Sequence, residues 1–145
     1  MIHFCHASSE ASAIASLRAV NSAQVGYAYS CANGGYAVDL ADLVKPPSAS
    51  PHGFISPDLK SNGVLKSGYI ITLEKEASSA VADVGTASDT CNSSANNPVS
   101  SYVANAAPVK AAARIRFFAT DKRGTIFQDM AALGNPIPAG KTPVQ

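Results

Sequence analysis

EASAIASLRAVNSAQVGY, residues 10–27, is the stretch on which the fold of this chain turns. Eight of its eighteen residues are alanine or serine, and only two are charged. Ile14, Leu17, Val20 and Tyr27 fall near one face at helical spacing, with alanines between them. The pattern predicts a helix over 8–30, stopped by Asn33-Gly34-Gly35. An ordinary surface helix carries more charge on its outer face. Small, weakly polar residues there suit close approach by another protein surface.

Working outward, the 145 residues predict one domain with a modest core. Only 14% of the residues are charged, where about a quarter is usual, and 46% are hydrophobic. This composition fits a secreted or surface-assembled protein better than a cytosolic enzyme. A net charge of +1 with scattered basic residues argues against a nucleic-acid partner held through phosphates. The apolar runs are too short to cross a membrane as a helix. The opening MIHFCHASS has neither the basic nor the apolar region of a signal peptide.

Past the helix, DLADLVKPP (39–47) reads as one short helix, begun at Asp39 and ended by Pro46-Pro47. SPDLKSNG (56–63) reads as a helical turn. The period then changes to two. In SGYIITLEKE (67–76), Tyr69, Ile71 and Leu73 share one face, and Ile70 and Thr72 the other. In RIRFFAT (114–120), Ile115, Phe117 and Ala119 oppose Arg114, Arg116, Phe118 and Thr120. A turn at Asp121 to Gly124 and a run over 125–128 complete a hairpin. One ring of Phe117-Phe118 belongs in the core, and the other is exposed or covered by a neighbour. SYVANAAPV (101–109) is a weaker strand.

These elements predict an α+β domain: a long N-terminal helix packed on an antiparallel sheet of three to four strands. The expected layout is a leader over 1–7 with no fold of its own, a helix over 8–30 and a connecting loop over 31–67. A sheet over 68–130 and an extended tail over 131–145 follow. Residues 76–100 hold almost no large apolar side chain and form a long polar loop of the kind that is functional or tied down.

Three cysteines are present, Cys5, Cys31 and Cys91, so one is left over or pairs between chains. Cys31 and Cys91 sit in polar, turn-rich surroundings, whereas reduced structural cysteines are usually buried among apolar residues. A Cys31–Cys91 disulfide is the preferred reading, and it implies an oxidising compartment.

Candidate chemistry is sparse. His3, Cys5 and His6 match no zinc-ligand spacing and read as part of the leader. His52 stands alone in a loop between Pro51 and Gly53, better explained by solvation than by catalysis. GYAYSCANGGY follows a helix, whereas phosphate loops follow a strand, so it reads as a helix stop. Asn92-Ser93-Ser94 matches a glycosylation triplet, which is common by chance. Asp121 to Gly124 is explained by a hairpin turn as well as by a cation site. No convergent catalytic set, cofactor motif or metal pattern is visible, so an enzyme ranks last among the functions considered.

The opening stretch also resembles the segment of type IV pilins and related pseudopilins that follows their hydrophobic stem. The likeness continues through CANGGYAVDLADL, GFISPDL and KSGYIITL and ends with RFFATDKRGTIFQD, which looks like the last hairpin of such pilins. It runs from about Ala7 to Gln128. The resemblance implies a globular head whose helix packs on an antiparallel sheet. It implies a subunit of an extracellular filament or a periplasmic pseudopilus, and it supports pairing of Cys31 with Cys91. The implied partners are identical or related subunits and the pilus assembly machinery, without a cofactor. Ala11, Ile14, Leu17, Arg18, Val20, Asn21 and Tyr27 are the expected subunit-packing residues of the helix.

One departure is large. The family's apolar stem, with its assembly glutamate, does not precede residue 8, where MIHFCH stands instead; Glu10 lies past the stem position. Three readings stay open: a head domain alone, a start upstream, or a stem carried by a separate hydrophobic peptide. Where a stem is present, it would anchor the subunit in the inner membrane before assembly. The alternative function is a minor pilin or secreted binding module that recognises a surface or polymer through the 76–100 loop.

Overall fold

The computed structural model describes residues 2–110, 112 and 114–144, with side chains from residue 8 onward. Helix α1 spans Ile2–Ser30. It begins six residues before the predicted start, so the backbone of 2–7, read from sequence as an unfolded leader, is helical. The side chains of His3, Cys5 and His6 lie outside the described residues. At its other end Asn33 takes φ 52°, and the Gly34 N–H donates to the Ala28 carbonyl at 2.8 Å. This closure spans the seven residues 28–34 and ends the helix where the stop is predicted.

Helix α2, Leu40–Val44, is capped by Asp39, whose carboxylate accepts from the Ala41 N–H at 2.9 Å. Two 3₁₀ turns lie at Pro57–Leu59 and Ala87–Asp89. The strands are β1 Val64–Lys66, β2 Tyr69–Lys75, β3 Tyr102–Pro108, β4 Phe117–Asp121, β5 Ile126–Asp129 and β6 Thr142–Pro143. They form one antiparallel meander in chain order. The sheet therefore has six strands, not three to four. The two missed strands are edges of three and two residues. Alternation cannot show in so few positions, and Pro143 reads as a breaker although edges tolerate it.

The alternation in β2 is as predicted: Tyr69, Ile71 and Leu73 are buried, and Ile70 and Lys75 are exposed. On this inner face α1 covers the sheet and forms the main core with Tyr102, Ala104, Ala106 and Phe118. Phe117 points the other way. With Val103, Ala119 and Phe127 it packs under Leu133 and Ile137 in a second, smaller core. The tail is thus a cover for the outer sheet face. Asn135 fixes it by donating to Glu74 Oε1 at 2.7 Å and to the Lys75 carbonyl at 2.9 Å, while accepting from the Ala77 N–H. The 76–100 segment is tied down by a disulfide between Cys31 and Cys91 and by bridges of Val99 to Tyr36 and Asp83.

Candidate assembly surface

Helix α1 has two faces of opposite character. Ala13, Leu17, Val20, Ala23 and Tyr27 are buried against the sheet and the connecting loop. Burial of each large apolar side chain stabilises the fold by roughly 1.5–3 kcal/mol. Polar pins fix the angle of the helix. Asn21 donates to Thr120 Oγ1 at 2.9 Å and accepts from the Tyr102 hydroxyl at 2.8 Å. Gln24, fully buried, pairs with both the N–H and the carbonyl of Ala37 at 2.9 and 2.8 Å. Glu10 receives the Arg116 guanidinium at 3.1 Å and also the Arg116 N–H at 3.0 Å, locking the start of β4 to the helix.

The opposite side is a continuous exposed strip of Ser8, Ala11, Ala15, Arg18, Ser22, Val25 and Tyr29. Successive members are alternately three and four residues apart. This 3.5-residue average is the spacing that keeps a seam facing a partner helix. Four of the seven are alanine or serine, short enough for close approach. Val25 is 67% exposed and Tyr29 is 92% exposed, two large side chains one turn apart that nothing among the described residues covers.

Of the seven predicted packing residues, only Ala11 and Arg18 lie on this strip. Leu17, Val20 and Tyr27 are buried in the chain's own core, Ile14 packs partly against it, and Asn21 is committed to Thr120 and Tyr102. Ala15, Ser22, Val25 and Tyr29 complete the exposed strip, and steps of three and four residues from Ala11 and Arg18 reach them.

The end of α1 is held by a buried polar cluster beside the disulfide. The Cys31 and Cys91 Cα atoms are 4.6 Å apart. The Tyr27 hydroxyl meets Ser94 Oγ at 2.5 Å, and Ser94 donates to Asn92 Oδ1 at 2.7 Å. The Asn92 amide donates to the Asp42 and Lys45 carbonyls at 2.8 and 3.0 Å. The buried Asp42 carboxylate accepts from the Ala95 N–H at 2.9 Å and from Asn96 Nδ2 at 3.0 Å. Burial raises the Tyr27 phenol above its ordinary value and pushes Tyr69 up to about 12. Tyr102 is raised further by the same cause. With its amide nitrogen spent on two carbonyls and its side chain buried, Asn92 in this fold cannot carry the glycan its triplet suggests.

His52 is exposed, as its loop position suggests. Among the described residues no three His, Cys, Asp or Glu side chains gather into a metal-holding group. No helix among them is long and apolar enough to cross a membrane. No family model, curated protein or solved structure matches the chain.

Proposed function

We propose that this chain is the head domain of a pilin-like subunit and packs into a filament through the outer strip of α1. The observation that carries this reading is that strip: small residues at a 3.5-residue spacing, ending in the uncovered Val25 and Tyr29. A helix on one face of an antiparallel meander is compatible with the pilin resemblance of the sequence, and the Cys31–Cys91 bridge suits a compartment outside the cytoplasm. Identical subunits placed head to tail along such a strip form an open helical array, because a heterologous contact need not close on itself. The partners under this reading are identical or related subunits, a hydrophobic stem on the same or a separate chain, and an assembly machinery. The location is an extracellular filament or a periplasmic pseudopilus.

Ala15→Arg tests the proposal. Ala15 is solvent-exposed on the outer strip, so the purified head should keep its stability within about 0.5 kcal/mol. In the cell that makes the protein, the same variant should no longer sediment with sheared surface or periplasmic filaments. Normal recovery of Ala15→Arg in filaments, or absence of the wild-type chain from any filament, counts against the proposal.

A further inference from the structure

The outer face of the sheet carries a cavity that the filament reading does not use. Between β2–β4 and the tail lies a space of about 230 Å³. Ala107, the partly exposed Phe117 and Leu133 line it. Glu74, Asn105 and Asn135 supply polar groups around it. The tail is bent into place at Gly134, φ 88°, a conformation that favours glycine.

Three features define what fits. The space is smaller than the roughly 300–1,000 Å³ of drug-sized ligand sites, which limits the occupant to a single ring. Strand alternation sets Asn105 on the outer face with Val103 and Ala107, opposite Ala119. Among the described residues its amide has no hydrogen-bond partner, so two donors and an acceptor are open to a ligand. Among the described residues Glu74 is the single formally charged one in the lining, and one of its oxygens is held by Asn135. A carboxylate and an open amide lining one small space match two hydroxyls of one ring, and an aromatic side chain in the same lining suits the C–H face of a pyranose. The carboxylate also disfavours anionic ligands.

We infer that this cavity binds one neutral sugar ring of a glycan, with Asn105 and Glu74 reading its hydroxyls and Phe117 beneath its C–H face. The inference is independent of filament formation. Saturation-transfer NMR on the full chain with methyl β-galactoside, methyl α-mannoside and N-acetylglucosamine tests it. At least one sugar should receive magnetisation, and the shifts it perturbs should map to Phe117, Leu133 and Asn105. Asn105→Ala should weaken binding by about tenfold through loss of its hydrogen bonds. Ala107→Leu should abolish it by filling the space. N-acetylneuraminic acid, which carries a carboxylate, should give no transfer. Absence of transfer to all three neutral sugars, shifts mapping elsewhere in wild type, or equal binding of the acidic sugar would each overturn the inference.

Discussion

Tyr27→Ala is expected to destabilise the domain by about 3–5 kcal/mol, the usual cost of deleting a large buried ring. Tyr27 is fully buried, its ring meets Phe54 edge-on at 5.5 Å between centroids, and its hydroxyl bonds Ser94. The ring joins α1, the 46–55 connection and the 76–100 loop, so the void cannot be filled by moving one side chain. Tyr27→Phe keeps the ring and loses the hydroxyl bond alone. Its expected cost is about 0.5–1.5 kcal/mol, because Ser94 retains its bond to Asn92. Urea denaturation of the two variants separates ring from hydroxyl. A Tyr27→Ala cost below that of Tyr27→Phe would mean that the helix end is not seated as described.

Replacing Cys31 and Cys91 together by alanine is expected to cost about 4 kcal/mol, the chain-entropy value for closing a loop of this size. The bridge spans a sequence separation of 60. The native loop should nonetheless stay docked. Asp42 still holds residues 95 and 96, Asn92 still bonds the 42–45 backbone, and Val84 and Val99 keep their pairings. The double variant should therefore show native chemical shifts around Asn92 together with a lower melting temperature. A native-state loop that becomes exchange-labile throughout 76–100 would show that the disulfide, rather than the polar cluster, positions it.

How much of this was legible in the sequence depends on the length of each signal. The α1 periodicity, the Asn33-Gly34 stop, the short helix starting by Asp39 and the β2 alternation each rest on local chemistry, and all appear in the fold. The edge strands β1 and β6 are too short for any periodicity, so the sheet was underestimated. The tail was read as extended because proline and glycine dominate it. Its role as a cover over Phe117 and Ala119 depends on Leu133 and Ile137 meeting strands far away in sequence, which no local pattern encodes. The same limit applies to the candidate surface. Apolar spacing identified the inner face of α1, but several inner residues were assigned to subunit packing. Only the tertiary contacts show that Leu17, Val20 and Tyr27 are already spent on the chain's own sheet. The buried Asn92 and Asp42 likewise look like ordinary loop residues until their partners are in place.

The central claim, that the exposed strip of α1 is a subunit contact, is tested most directly by a photo-crosslinking residue placed at Ser22 in cells that make the protein. Ser22 lies mid-strip, between Arg18 and Val25, and Lys75, exposed at the end of β2, serves as the comparison position. Irradiation should join Ser22-substituted chains to another filament subunit in a ladder of products, while the Lys75 position gives none. Crosslinks from Lys75 with none from Ser22 would contradict the account.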